Sequence, residues 1–182
     1  AYTVGLIQAL NAFQGKYASQ EAIAAQACDV EINKLGEPIG KQDQYGTAVG
    51  GMKFIRFLPD DTVEVEPIVM KKSTKQELDN NLLLFYTGLT HSAGTILKEQ
   101  NANVVSAEDK FKGMVRMTEL AHEMKEALCA DDLSRFGDIL NENWILKRSM
   151  ASSISNSFVD KYYDIAVNNG AKGGKLLGAG GG

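Results

Sequence analysis

Gly36-Glu37-Pro38-Ile39-Gly40-Lys41-Gln42-Asp43-Gln44-Tyr45, followed by Gly50-Gly51, is the stretch on which the reading of this chain turns. Gly36 and Pro38 interrupt any helix before them. Glycine adopts backbone angles other residues avoid, and proline lacks the N–H a helix needs. Asp43 follows that break, flanked by the amides of Gln42 and Gln44 and by the phenol of Tyr45. A second carboxylate, Glu31, lies twelve residues earlier, near the end of a predicted helix. Far along the chain, Lys175-Leu176-Leu177-Gly178-Ala179-Gly180-Gly181-Gly182 forms a glycine-rich segment where backbone can approach a ligand closely. An acid with positioned neighbours and a glycine loop are parts that phosphoryl transfer uses.

Bulk properties narrow the field. The chain has 182 residues, enough for one large domain or two small ones. Hydrophobic content of 44% and charged content of 23% are those of an ordinary globular protein. A net charge of −4 argues against a nucleic-acid surface, which needs clustered Lys and Arg. No apolar run approaches the roughly 20 residues of a membrane span, so no membrane partner is expected. Cys28 and Cys129 are far apart and are expected as free thiols on buried helix faces, in keeping with a reducing compartment. His91 and His122 have no partners at metal-ligand spacing, which argues against zinc.

Periodicity lays out the elements. Apolar residues from Tyr2 to Phe13 recur as in a helix that stops near Gly15. Ser19 is placed to cap a second helix running to about Lys34. The spacing predicts a short helical turn over 43–49, then two strands, 52–58 and 63–69, joined by Pro59-Asp60-Asp61. The polar segment 71–80 reads as a connection. The run Leu82-Leu83-Leu84-Phe85-Tyr86 reads as a buried strand closed by Thr87-Gly88. Helical patterns cover about 92–104, 107–130, 133–150 and 156–168, the last ended by Asn169-Gly170. Leu176-Leu177 is expected as a short strand leading into the glycine loop.

The candidate chemistry follows from residue type. Asp43 can accept or orient the proton of a substrate hydroxyl. Glu31 can ligate Mg²⁺, a hard cation that prefers oxygen and keeps several waters. Gly178–Gly182 can bring backbone next to an anion where a Cβ would clash. Each also has a plainer reading. Asp serves as a turn or cap residue, Glu near a helix end is often solvated, and a glycine-rich tail is often a linker. Trp144, at helical spacing with Leu140, reads as a core residue and Lys147 as a surface residue.

Taken together, the motifs resemble the GHMP kinase superfamily. The run from Glu31 to Gly40 resembles its Glu-x-x-x-x-Gly-x-Pro-x-Gly segment, and Lys41-Gln42-Asp43-Gln44-Tyr45 its catalytic-Asp segment. Lys175 to Gly182 resembles its C-terminal glycine motif. Within the superfamily the chain is most similar to the heptose 7-phosphate kinase branch. That likeness rests on Tyr86-Thr87-Gly88, Trp144-x-x-Lys147, Met150-Ala151-Ser152-Ser153-Ile154-Ser155-Asn156 and Gly170-Ala171-Lys172-Gly173-Gly174-Lys175.

The resemblance implies an α+β fold in two lobes. Residues 1–70 would be the second half of a nucleotide-binding lobe, and 71–182 most of a ferredoxin-like C-terminal lobe. It implies an internal piece of a longer chain, without the N-terminal strands and the phosphate loop. ATP and Mg²⁺ would be the cofactors and a sugar phosphate the partner, in the cytoplasm. Asp43 would be catalytic and Glu31 the metal ligand. Gly178, Ala179, Gly180 and Gly181 would form the loop that closes the site. Gln42, Tyr45, Thr87, Gly88, His91 and Lys147 would meet the substrate. His91 stands where relatives often carry Arg, and a neutral imidazole holds a phosphate less well than a bidentate guanidinium. Two rivals stay open: a GHMP kinase acting on another sugar or alcohol, and a sensor that keeps the fold without turnover.

Overall fold

A computed structural model describes residues 1–89 and 93–181. It divides into two compact units, Ala1–Ile68 and Val69–Gly182. The architecture is α+β: helices with one two-stranded antiparallel sheet among the described residues.

The first unit contains α1 (Tyr2–Phe13), α2 (Gln20–Cys28), a π-helical extension of α2 (Asp29–Lys34), α3 (Gln42–Val49), β1 (Lys53–Phe57) and β2 (Val63–Pro67). Gly15 ends α1 with φ +64. Ser19 starts α2, its Oγ accepting the Ala22 N–H at 3.2 Å. Two pairs four residues apart give α2 two buried faces. Ile23 and Ala27 pack with Val4 of α1, and Ala24 and Cys28 pack with Tyr45 of α3. Both alanines are fully buried, and their small side chains let the neighbouring helices approach closely.

The hairpin has the register expected of its alternation, with Ile55 opposite Val65 and Phe57 opposite Val63. Asp61, at φ +67, turns the chain between the strands. Arg56 bridges Glu64 and Glu66 on the partner strand.

The second unit contains α4 (Lys72–Asn81), α5 (Ala93–Ser106), α6 (Glu108–Cys129), α7 (Phe136–Met150) and α8 (Ser157–Asn168). Its core gathers Ile96, Trp144, Met150, Ala151, Ile154 and Val159. Two glycines in helices admit close neighbours. A Cβ on Gly113 would stand 2.5 Å from the Met150 Cε, and one on Gly137 would stand 2.2 Å from the Lys172 Cβ. The second contact ties residues 172–173 to the start of α7. Asn169 and Gly170, with Gly170 at φ +99, end α8.

Several expectations change. Residues 71–80 are a helix rather than a connection. Asp131, itself at φ +58, supplies the missing cap from a distant loop, its Oδ1 accepting the Lys71 N–H and the Thr74 hydroxyl, both at 2.7 Å. Only Thr74 and Leu78 of α4 are buried, so its apolar stripe is too thin to read. Residues 82–86 are not in a sheet. Leu83, Leu84, Phe85 and Tyr86 are all more than 70% exposed. Leu176-Leu177 is likewise outside any sheet. A strand needs the backbone of another strand, and the described residues of this unit contain none. The second predicted helix does not run uniformly to Lys34, because α2 passes into a π-helix at Asp29. Cys28 is buried as expected, whereas Cys129 is exposed; both are free. Among the described residues, no helix is long and apolar enough to cross a membrane.

Candidate active site

In the first unit, Glu31 is held by side chains from two neighbouring helices. The π-helical turn that carries it closes with the Leu35 N–H on the Val30 carbonyl at 3.0 Å, five residues back. The Thr3 hydroxyl, from α1, donates to Glu31 Oε1. The Gln44 side-chain amide, from α3, donates to Glu31 Oε2. The Thr3 bond holds this carboxyl below its ordinary range; partial burial opposes that, and the Gln44 bond adds to it. Glu31 is thus an ordered carboxylate fixed from both sides.

Gln44 is itself 1% exposed, and its Oε1 is buried with no hydrogen-bond partner. An orphaned buried carbonyl oxygen calls for a ligand or a water. Glu31, Thr3 and Gln44 therefore gather carboxylate, hydroxyl and amide oxygens. That donor set suits Mg²⁺, which takes one or two protein oxygens and keeps its waters. No cluster of three or more His, Cys, Asp or Glu occurs among the described residues, so a full protein cage is not on offer.

Asp43 sits in the first turn of α3, one residue before Gln44. It is exposed, and no hydrogen bond or ion pair engages it among the described residues. The helix N-terminus favours its negative charge. Gln42, also exposed, precedes it. Lys41, just before, is paired with Asp61 at 2.6 Å. Tyr45 points the other way. It is buried in the core, edge-on to Phe57 at 5.9 Å, and burial pushes its phenol up. An open groove of about 520 Å³ on this unit is lined by Ile7, Ala25, Gln26, Asp29, Val30 and Lys34, and neither Asp43 nor Glu31 lines it.

In the second unit the glycine segment is anchored rather than loose. Gly178, Gly180 and Gly181 all have positive φ, at +73, +122 and +87. The Gly181 N–H donates to the Ile154 carbonyl at 2.9 Å. Asn156 Nδ2 donates to the Gly181 carbonyl at 3.2 Å. Lys147 Nζ donates to the Gly178 carbonyl at 2.5 Å. A Cβ on Gly180 would stand 2.9 Å from both the Cα and the O of Ile154, so only glycine fits there. Thr87 Oγ1 accepts the Leu89 N–H at 3.4 Å, and Gly88, at φ +71, turns the chain. His91 lies outside the described residues.

Three residues of these arrangements were not singled out from the sequence as site residues: Thr3, Gln44 and Asn156. Asn156 had a usable signal, a cap residue ahead of an apolar helix. Thr3 and Gln44 had none, because their role depends on helices meeting across the fold.

Comparisons with known proteins identify relatives of the chain. Residues 124–182 match the family described as GHMP kinases C terminal. Over 98% of its length the chain is 32% identical to the D-glycero-alpha-D-manno-heptose 7-phosphate kinase of Campylobacter jejuni, covering 52% of that protein. The chain carries a GHMP kinase C-terminal domain. The chain is also 31% identical over its whole length to the bifunctional fucokinase/GDP-fucose pyrophosphorylase of Arabidopsis thaliana, covering 17% of it. Among solved structures, the D-glycero-D-manno-heptose 1-phosphate kinase from Bacteroides thetaiotaomicron matches with a TM-score of 0.71 and 28% identity. That match takes in 97% of this chain and 48% of the other. The chain spans about half the length of the heptose phosphate kinases it matches.

Proposed function

We propose that these residues form part of an ATP-dependent sugar kinase that phosphorylates the anomeric hydroxyl of a heptose 7-phosphate. The observation that carries the reading is the pairing of Glu31, fixed by Thr3 and Gln44, with the unengaged carboxylate of Asp43 next to Gln44 on α3. The kinship with sugar kinases supports the substrate class.

In the proposed reaction the substrate hydroxyl attacks the γ-phosphorus of ATP. The new O–P bond forms as the bond to the β–γ bridging oxygen breaks, and ADP leaves. Asp43 accepts or orients the proton of the attacking hydroxyl. Glu31, Thr3 and Gln44 would hold Mg²⁺, which when bound offsets the phosphate charge. Gly178, Ala179, Gly180 and Gly181 are the loop proposed to meet an anion, with the Gly181 N–H already held by the Ile154 carbonyl. Gln42, Thr87, Gly88, His91 and Lys147 are the proposed substrate contacts. Lys147 would act there while also holding the Gly178 carbonyl.

The test replaces Asp43 by Asn in a polypeptide that also supplies the rest of the relatives' length. The kcat is expected to fall by about 10²–10⁴, with Mg-ATP affinity retained. Near-normal turnover would remove Asp43 from the proton step. Comparing kcat/KM for heptose 7-phosphate, unphosphorylated heptose and fucose checks the substrate. Equal values for the first two would withdraw the phosphate requirement.

A further inference from the structure

We infer that Glu99 positions the glycine loop, acting through the turn that follows α7. The inference rests on the kinase reading only where it predicts kinetics.

One face of α5 carries Ile96, Glu99 and Asn103, at helical spacing. Ile96 is buried in the core with Trp144, Met150 and Ile154. Asn103 Nδ2 donates to the Met150 carbonyl at 2.8 Å, at the last residue of α7. Glu99 engages the residues just beyond. Its Oε1 accepts the Ser152 N–H at 2.8 Å and the Ser152 hydroxyl at 2.9 Å. Its Oε2 accepts the Ser153 hydroxyl at 2.7 Å. Both carboxylate oxygens are therefore committed to one two-residue turn.

That turn is the seat of the glycine loop. Ile154, the next residue, offers the carbonyl that receives the Gly181 N–H at 2.9 Å. Gly180 lies against the Ile154 backbone so closely that no side chain fits between them. The path from Glu99 to Gly181 thus runs through consecutive hydrogen bonds and one backbone-to-backbone contact.

A helix-borne carboxylate with no such duty would stay solvated. Here the Ser153 hydroxyl, the Ser152 N–H and the Ser152 hydroxyl together hold it below its ordinary range. Glu99 would touch neither nucleotide nor sugar. Its role would be to fix the angle at which Ile154 presents its carbonyl, and so the height of the loop over the phosphates. Small displacements matter, because a misplacement of about 1 Å can lower a rate about 10²-fold.

The test uses a polypeptide of the relatives' length and two readouts. One is amide hydrogen exchange at Gly180 and Gly181 without nucleotide. The other is steady-state kinetics with Mg-ATP. Glu99→Ala is expected to speed Gly181 exchange about tenfold, the loss of roughly one charge-assisted hydrogen bond. It is also expected to raise KM for Mg-ATP, with kcat/KM falling up to about 100-fold. Glu99→Gln should restore most of both, since its Oε1 can still accept from Ser152 while its amide donates to the Ser153 hydroxyl.

Arg116→Ala serves as a stability control in the same unit, because Arg116 engages Glu119 and Glu123 of its own helix and Glu142 of α7. It should move neither readout. Unchanged Gly181 exchange in Glu99→Ala overturns the positioning role, whatever the kinetics. So does an equal effect in Arg116→Ala. Faster exchange with unchanged kcat/KM upholds the link from Glu99 to the loop and instead removes the loop from the kinase reading. Should Glu99→Ala fail to fold, Glu99→Asp, its carboxylate withdrawn by one methylene, is measured with the same expectations.

Discussion

Gly180 combines two constraints that act on any substitution. Its φ of +122 is one that other residues rarely adopt, and an added Cβ would meet the Ile154 backbone at 2.9 Å. Gly180→Ala is expected to destabilise the protein by about 1–3 kcal/mol, read from the denaturant midpoint. Gly178→Ala meets only the first constraint, with open space around it, and should cost about 1 kcal/mol or less. Equal losses would mean that the contact with Ile154 is not what excludes a side chain. Glu31 gives a second residue-scale test. Its folded-state carboxyl lies below the unfolded value, mainly through the Thr3 hydroxyl. The stability it contributes is therefore complete above the unfolded pKa, about 4.3. It disappears as pH falls through the lower, folded-state value. Thr3→Val should flatten the acid side of that profile, measured as melting temperature between about pH 3 and 6. An unchanged acid slope would show that the hydroxyl does not set the carboxyl. At this scale the sequence was informative about Glu31, Asp43 and the glycines, whose types carry their chemistry with them. It was silent about Thr3, whose hydroxyl matters only because α1 lies beside the π-helical turn.

Asn156 joins two elements with one side chain. Its Oδ1 caps α8 by accepting the Phe158 and Val159 N–H groups, both at 3.0 Å, while its Nδ2 holds the Gly181 carbonyl. Asn156→Ala should lose about 1 kcal/mol of stability, the usual value of a cap. Asn156→Asp keeps the acceptor and adds a charge that suits a helix N-terminus. It should therefore hold the melting temperature and, on the proposed kinase reading, raise KM for Mg-ATP, because a carboxylate cannot donate to Gly181. A melting temperature that falls equally in both variants would contradict this division of labour. Helices were legible in the sequence wherever the cap is local: Ser19 before α2, Asn156 before α8, Gly170 after it. Helix α4 was missed because its cap, Asp131, comes from about sixty residues away. The run 82–86 was misread for the opposite reason. Its apolar side chains signal a strand, but pairing depends on a neighbour that local sequence does not name.

Among the described residues, apolar side chains stand open in both units. Tyr2, Leu6, Leu10 and Phe13 of α1 are exposed in the first unit, and 82–86 is exposed in the second. Contiguous apolar patches of this kind are uncommon on a soluble monomer. Taken alone, these 182 residues should self-associate and bind a hydrophobic dye. Leu84→Lys with Phe85→Lys should reduce both, as measured by light scattering and dye fluorescence. A monodisperse, dye-silent chain would show these surfaces to be covered. The π-helical turn at Asp29–Lys34 has a consequence of another sort. A helix that closes its rings five residues back instead of four holds one residue more than an α-helix of the same span, as if a single codon had been inserted. Ordinary substitutions therefore leave the frame of Glu31 intact, but an in-frame deletion of one codon between Cys28 and Glu31 does not. The helix would survive as a regular α-helix, with Glu31 turned about its axis relative to Thr3 and Gln44. In this chain the position of the carboxylate depends on the length of the helix as much as on the identity of the residue.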